Sequence, residues 1–407
     1  MKRTVLIWPV SVMILLGGIY AWSMFVPPLQ HRYGLTAAQT QWVFGTVIAS
    51  FTTAMVGADK LLKRIGFRGM ILAAGMLFAA GYTLASHPSG RFETIFVGIG
   101  LLSGIGTGLG YMSSLSVPVS WFPLRKGLIT GMVSGGFAAG SILLTFWTGW
   151  LLEKGTDVLI VFRCIGLTYG PLMIIIALLL PPAAPVATAP ASRQEFRAGR
   201  LFLLFLSMFL GTFAGLMVIG NLKLIGEGAY ANRQLSFAIV LFSLANFSGR
   251  LAWGWVSDRF STFTLLSVAL IAQGLSTFLL GHFRFPVAMF YLLVMITGLG
   301  FGANFVLFAR ETAHEFGIHR LGQIYPFIFL GYGLAGIFGP VTGGELFDRF
   351  QNFSLSSSIS LGASILSLGT FGLQLVLVRN KKELTVAETA PAYTTPEFSN
   401  KTLKQEL

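Results

Sequence analysis

The stretch Ser103-Gly104-Ile105-Gly106-Thr107-Gly108 has a counterpart in Thr297-Gly298-Leu299-Gly300-Phe301-Gly302, and glycine recurs at every second position in both. Both stretches lie inside long apolar segments, where small residues at close spacing let helix backbones approach each other in a lipid bilayer. Self-similarity between the two halves of a chain predicts a duplicated architecture.

A second pattern supports the duplication, because Gly135 and Ala139-Gly140 match Gly331 and Ala335-Gly336. The segment between the two copies is rich in proline and alanine and then turns polar, which is typical of a linker. The predicted organisation is a six-helix bundle at residues 1–181, a cytoplasmic linker at 182–199, a second six-helix bundle at 200–378 and a disordered cytoplasmic tail at 379–407.

Composition identifies the class of protein. Hydrophobic residues make up 54% of the 407 residues, charged residues only 11%, and the mean hydropathy is +0.75. Runs such as 4–27, 95–119 and 201–224 exceed the roughly 18 apolar residues that indicate a membrane-spanning helix. We predict an all-α membrane protein with twelve transmembrane helices in two six-helix pseudo-repeats.

The net charge of +13 reflects topology. Lysine and arginine concentrate in alternate loops, which predicts that both termini are cytoplasmic. We expect a multi-pass protein of the plasma (inner) membrane. The basic residues are scattered and form no continuous stripe, so the lipid bilayer is an expected partner and nucleic acid is not. We expect a functional monomer that needs no cofactor or metal ion.

One charged residue, Arg250, lies well inside an apolar segment, at 235–256. The fifteen acidic residues can all be assigned to span ends, loops or the tail, so none is expected to pair with Arg250. An unpaired buried cation is costly, and a bound carboxylate anion would remove the cost because the guanidinium fork suits it. Asn246, one turn earlier, is predicted to orient the guanidinium or to contact the substrate.

Plainer interpretations remain open for both residues. Arg250 can instead snorkel towards the membrane interface or cap carbonyl groups of a neighbouring span. Asn246 can instead serve as a structural hydrogen bonder between helices.

Two parallel six-helix repeats joined by a linker resemble the major facilitator superfamily, whose substrate site lies near mid-membrane between the halves. The loop Gly254-Trp255-Val256-Ser257-Asp258-Arg259 resembles the loop motif of that superfamily, which implies a gating role for Asp258 and Arg259. The first-half counterpart, Lys63-Arg64-Ile65-Gly66, departs from the motif because lysine replaces its aspartate.

Narrower motifs resemble the oxalate/formate antiporter family, which includes monocarboxylate carriers. They are Gly17-Gly18-Ile19-Tyr20-Ala21-Trp22-Ser23 with Pro28-Leu29, Gly108-Leu109-Gly110-Tyr111, and Trp121-Phe122-Pro123 with Lys126-Gly127. The resemblance implies that Arg250 takes the place of an eighth-span arginine that binds substrate.

Oxalate carriers of that family also use a lysine in the eleventh span, whereas this chain has Tyr332 within Leu330-Gly331-Tyr332-Gly333. A dianion would leave its second carboxylate without a cation, so a monocarboxylate suits the charge count better. We predict that Tyr332, Tyr20 and Tyr111 supply hydroxyl groups and that Phe329 contacts a small alkyl group. Ordinary packing is the alternative for Phe329 and for the two first-half tyrosines.

The resulting hypothesis is a secondary active transporter of small monocarboxylate anions, coupled to protons, that works by alternating access. Anion exchange of the oxalate/formate type is the first alternative, and a different cargo such as a sugar, peptide or drug is another. A receptor that binds carboxylates without moving them, or a membrane enzyme, also remains open. For an enzyme or metal site the only local candidate is a group of residues interpreted as a solvated gate or charge cluster: Glu311, His314, Glu315 and His319.

Overall fold

The computed structural model describes residues 6–121, 126–180, 198–317 and 320–389, and within these ranges the chain forms helices and no strand. Twelve of its helical segments are long and apolar enough to cross a membrane. They are, in chain order, Ile7–Met24, Ala37–Ala58, Lys60–Ala85, Phe92–Pro118, Met132–Glu153, Val158–Leu179, Ala198–Gly226, Asn232–Ser257, Thr262–His282, Val287–Phe316, Gln323–Phe350 and Ser354–Leu377.

These spans confirm the predicted fold class. Because their number is even, the first span begins and the twelfth ends at the same face of the bundle, which we call the terminal face. The opposite face is called the distal face. The helices are long because apolar residues run without interruption. Inside lipid no water is available to a backbone N–H or C=O group, so these groups are hydrogen-bonded to one another within the helix.

Three spans depart from a regular α-helix. The first begins as an α-helix, Ile7–Leu16, and continues as a 3-10 helix, Gly17–Met24, which opens on two glycines of low helix propensity. The second and third spans form one continuous helix, Ala37–Ala85, which is kinked inside the third span at Gly66, whose φ of 68° suits glycine. The fourth span contains a π-helical segment, Phe96–Ser103. Such irregular segments often occur at functional hinges.

The repeated glycines of the fourth and tenth spans make the same contacts twice. A methyl group added at Gly106 would lie 2.9 Å from the Ala74 carbonyl oxygen, and one added at Gly300 would lie 2.7 Å from that of Ala269. Only glycine permits this approach of backbones. The same correspondence holds for Gly104 with Val47 and Gly298 with Phe242, and for Gly108 with Phe51 and Gly302 with Asn246.

The repeat of the fifth and eleventh spans differs by one residue from the one predicted. Gly136 faces the Val10 carbonyl oxygen as Gly331 faces that of Phe205, so these two glycines are equivalent. The sequence comparison, which matched Gly331 with Gly135, was wrong. Two adjacent glycines, Gly135 and Gly136, can each be matched with Gly331 in the sequence, and the helix contacts favour Gly136.

At the distal face, side chains hold the first six spans against the last six. Three kinds of contact occur: a carboxylate binds the start of a helix, a side-chain amide donates to a backbone carbonyl, and two exposed polar side chains form a hydrogen bond. They are Ala37 and Ala38 with Asp348 (3.0 and 2.8 Å), Gln41 with the Gly220 carbonyl oxygen (2.9 Å), and His31 with Glu227 (3.4 Å).

The last helix is longer than predicted. It runs from Ser354 to Thr389 and so continues into the segment 379–407 that was expected to be disordered. The extension contains lysine, glutamate and leucine, which are good helix formers and let an existing helix propagate beyond the membrane. Residues 390–407, and nearly all of the predicted linker, lie outside the described residues.

Candidate functional site

Arg250 lies on the eighth span, seven residues before the end of the helix at Ser257, or about 10 Å along its axis at 1.5 Å per residue. Its side chain is half-buried. The guanidinium carbon lies 4.1 Å from the centroid of the Phe305 ring, a cation–π contact, and Nε donates a hydrogen bond to Asn246 Oδ1 at 3.1 Å. The ring of Phe305 and the amide oxygen of Asn246 thus both hold the guanidinium in place.

Among the residues whose side chains the structure describes, no aspartate or glutamate forms an ion pair with Arg250. Its described partners are an aromatic ring, an amide and hydroxyl groups. Asn246 is completely buried, and its Nδ2 donor has no hydrogen-bond partner among the described residues. The site therefore offers positive charge and an unused donor, and both suit a carboxylate.

Three tyrosines from both groups of spans meet at this charge. The hydroxyl groups of Tyr20 and Tyr332 lie 3.0 Å apart in a buried hydrogen bond that joins the first and eleventh spans. The Arg250 guanidinium interacts with the hydroxyl groups of Tyr20 and Tyr111. Tyr20 and Tyr332 are 2% and 1% exposed, so these hydroxyls are shielded from bulk water.

Aromatic rings fill the space around these hydroxyl groups. Phe329, a predicted site residue, is buried with its ring centroid 5.0 Å from that of Tyr332 and 5.9 Å from that of Phe305. Phe51 lies 5.0 Å from Tyr111. The rings touch one another in this conformation and form an apolar wall beside the hydroxyl groups.

The structure thus brings together all six residues predicted for substrate contact: Arg250, Asn246, Tyr332, Tyr111, Tyr20 and Phe329. Sequence reasoning missed four phenylalanines and one tyrosine, because the chain has 37 phenylalanines and 10 tyrosines and nothing in their spacing distinguishes these five. The missed residues are Phe51, Phe137, Phe301, Phe305 and Tyr325.

The two predicted gating residues lie apart from this cluster. Asp258 and Arg259 are exposed at the terminal face, just beyond the end of the eighth span. The Arg259 guanidinium carbon lies 4.8 Å from the Trp255 ring centroid. Their gating role stays a prediction, since neither contacts the central residues.

The charged cluster near the end of the tenth span was expected to be solvated, and this was wrong for its carboxylates. Glu311 is 4% exposed, and the Glu315 side chain is also 4% exposed because it forms a buried ion pair with Arg200. Arg200 further donates to the Leu377 carbonyl oxygen, so the seventh and twelfth spans cover the cluster. His314 is exposed, and His319 lies outside the described residues.

Another buried cation was not identified from the sequence, because it lies close to a span end. Lys223, on the seventh span, is 3% exposed. Its Nζ donates to Ser236 Oγ at 3.0 Å and to both the carbonyl and the side-chain oxygen of Asn232. Oxygen atoms of the neighbouring eighth span thus bind this ammonium group locally.

Twelve spans in two similar groups, with a charged and aromatic cluster between them, define a multi-pass membrane protein with a candidate site at its centre. The chain belongs to the major facilitator superfamily, whose family model matches residues 7–340. The predicted resemblance is confirmed at this level, and the protein is a membrane transporter of that superfamily.

Its relatives are transporters of low sequence identity. An uncharacterized MFS-type transporter, YhjX, of Escherichia coli (strain K12) is 27% identical over 82% of this chain and 85% of its own length. The oxalate:formate antiporter of Oxalobacter formigenes is 23% identical over 85% of each chain. Monocarboxylate transporter 11 of Mus musculus is 26% identical over 87% of this chain and 83% of its own length.

Proposed function

We propose that this protein carries small monocarboxylate anions, of the size of formate, lactate or pyruvate, together with a proton by alternating access. The observation that carries the proposal is the environment of Arg250, a half-buried cation whose side-chain partners are an amide, hydroxyl groups and an aromatic ring. A substrate carboxylate supplies the negative charge that this environment lacks.

The charge count favours one carboxylate over two. Arg250 is the cation at the centre of the cluster, and the position taken by a lysine in oxalate carriers is occupied by the neutral Tyr332, whose hydroxyl group is bonded to Tyr20. A second carboxylate would face hydroxyl groups and aromatic rings in a region of low dielectric, which costs several kcal/mol per uncompensated ion.

We assign the remaining roles by chemistry. Arg250 binds the carboxylate in bidentate geometry, and the unused Asn246 Nδ2 donates a further hydrogen bond. Hydroxyl groups of Tyr20, Tyr111 and Tyr332 complete the polar side of the site. Phe329 and its neighbouring rings provide the apolar wall against which a methyl or other small alkyl group packs.

The position of the contacts supports alternating access. The Tyr20–Tyr332 hydrogen bond joins the two groups of spans at the site itself, so substrate that inserts between them replaces one contact by another. By the positive-inside rule we take the terminal face as cytoplasmic and the membrane as the plasma membrane. Asp258 and Arg259 would then act at the cytoplasmic mouth, and a monomer suffices for the cycle.

Exchange of one anion for another is the second candidate. The relative named an oxalate:formate antiporter favours exchange. Exchange also avoids the cost of reorienting the empty site, in which Arg250 would lack a counter-ion. The named monocarboxylate transporter favours the single-carboxylate cargo in either cycle.

The test is uptake of labelled formate, acetate, lactate, pyruvate and oxalate into proteoliposomes, with and without an imposed pH gradient. The proposal predicts accumulation of at least one monocarboxylate that rises when the outside is acidified, with oxalate transported poorly. Accumulation that needs a second anion inside and ignores the gradient would identify the exchanger. Failure of all five acids to enter would reject a carboxylate transporter and leave a receptor or a different cargo.

A further inference from the structure

Asp348 forms hydrogen bonds between the two groups of spans, and no sequence motif predicts them. It lies near the distal end of the eleventh span and is half-buried. Its Oδ1 accepts a hydrogen bond from the backbone N–H of Ala37 at 3.0 Å, and its Oδ2 accepts one from that of Ala38 at 2.8 Å. Both carboxylate oxygens therefore bind the start of a helix that belongs to the other group of spans.

The second span is well prepared to receive this carboxylate. Its first residues, Ala37 and Ala38, have N–H groups with no partner inside the helix, and the helix dipole favours negative charge there. Thr36 and Gln39 form a capping box in which the Gln39 N–H binds Thr36 and the Thr36 N–H binds Gln39. The capping box leaves the N–H groups of Ala37 and Ala38 for Asp348.

The backbones of the second and eleventh spans approach each other closely beside this contact. A methyl group added at Gly344, one turn before Asp348, would lie 2.9 Å from the carbonyl carbon and oxygen of Ala37. Further along the same two helices, Ile48 is completely buried against Gly336. The second and eleventh spans are thus in contact from Asp348 towards the middle of the membrane, and these contacts must part if the distal face is to open.

We propose that Asp348 is the gating residue of the distal face, a charged latch that closes this face by capping the second span across the interface. The proposal rests on the alternating access of the proposed function but not on the identity of the cargo. Charged hydrogen bonds to a helix start are stronger than neutral ones, so loss of the carboxylate shifts the population towards a state open at the distal face.

The test is the labelling rate of a buried reporter thiol. Cys164 is the only cysteine, so a Cys164→Ser, Ile48→Cys chain carries a single thiol between the second and eleventh spans. A membrane-impermeant methanethiosulfonate reagent is added to the distal side of oriented vesicles without any substrate. We expect Asp348→Ala to raise the labelling rate at least tenfold, with the distal-open state more populated.

A variant on the other side of the contact tests the same bond. Ala37→Pro removes the N–H that binds Asp348 Oδ1, and proline is accepted at the first position of a helix. The preceding residue, Thr36, has φ −73° and ψ 161°, an extended conformation that proline permits before it. We expect Ala37→Pro to raise labelling as well, and the double variant to add little to Asp348→Ala, because both changes break one contact.

A matched control separates this latch from general loosening of the fold. Asp157 also caps a helix, accepting from the Leu159 N–H at 2.7 Å, but it lies within the first six spans, where it also binds Arg32 and Tyr33. Burial and the Asp157 carboxylate raise the pKa of Tyr33 to about 12, so this tyrosine remains a donor. Asp157→Asn should lower thermal stability and leave the labelling rate unchanged.

Two results would overturn the proposal. One is an unchanged labelling rate in Asp348→Ala. The other is an equal rise in Asp157→Asn, which would mean that any lost helix cap exposes the reporter. Since no cargo is present in this assay, either result is independent of whether the protein carries monocarboxylates.

Discussion

The first six and the last six spans have the same backbone contacts and different chemistry. The contacts of Gly108 with Phe51 and of Gly302 with Asn246 are equivalent, so Phe51 aligns with Asn246, and one turn later Met55 aligns with Arg250. The last six spans therefore carry an amide and a cation where the first six carry a phenylalanine and a buried methionine. Duplication fixed the scaffold, and only one copy holds the charge.

This difference suggests a division of labour. Under the proposed function, the last six spans would bind the anion, and the first six would close over it with the hydroxyl groups of Tyr20 and Tyr111 and the ring of Phe51. Substitutions at aligned side chains should then have unequal effects, and substitutions at aligned glycines should have equal ones.

The largest expected effect is at Arg250. Removing one partner of a buried ion pair costs about 2–5 kcal/mol, so Arg250→Gln should lower monocarboxylate uptake by about 100-fold or more. Arg250→Lys should retain part of the activity, since it keeps the charge and loses the fork. At the aligned position, Met55→Leu is nearly isosteric and should stay close to wild type in the same vesicle assay. Uptake that persists in Arg250→Gln would argue for an uncharged cargo.

Next in size is a change of cargo. Tyr332→Lys adds a second cation beside Arg250, and we expect the ratio of oxalate to monocarboxylate uptake to rise by about tenfold. Tyr332→Phe is the matched control, because it removes the same hydroxyl group without adding charge. If both variants keep the wild-type ratio in competition assays, Tyr332 does not face the substrate.

The aligned glycines should respond alike. Gly106→Ala and Gly300→Ala each place a methyl group within 3 Å of a carbonyl oxygen, and overpacking of this kind costs about 1–3 kcal/mol. Unfolding titrations in mixed detergent micelles should give similar losses for both. Gly362→Ala, with no atom within 4 Å of the added methyl group, should lose no stability. A loss in only one of the two repeats would break the equivalence of their backbones.

The smallest expected effect concerns the bond between the two groups. Tyr20→Phe and Tyr332→Phe each remove one partner of the 3.0 Å hydrogen bond, worth about 1 kcal/mol net. We expect each to change the transport rate by a factor of about five, with the double variant similar to either single one. Fully additive effects in this double-mutant cycle would mean that the two hydroxyl groups act separately.

Periodicity and composition predicted much of the fold and part of the site. Uninterrupted apolar runs predicted the twelve spans, and repeated glycines predicted the duplication. Both patterns can be recognised in the sequence without knowing how the helices pack. The central residues were found from charge, since Arg250 is unusual wherever the helices go. The aromatic wall and Asp348 were not predictable, because phenylalanines are common and a carboxylate near a span end looks like an ordinary loop residue.

Buried charges at span ends show why depth cannot be inferred from position along the chain. Lys223 and Glu315 lie near helix ends, yet neighbouring spans cover both of them. Whether such a residue is solvated depends on which helices pack over it, and this is a property of the assembled bundle.

The most direct test of the central claim is equilibrium binding of the labelled monocarboxylate that the uptake panel identifies, measured by dialysis on purified protein in detergent. The account predicts one saturable site per chain in the wild type, weaker binding in Arg250→Lys and no measurable binding in Arg250→Gln. Binding to Arg250→Gln with wild-type affinity would contradict it, because the carboxylate would then be held by some other group.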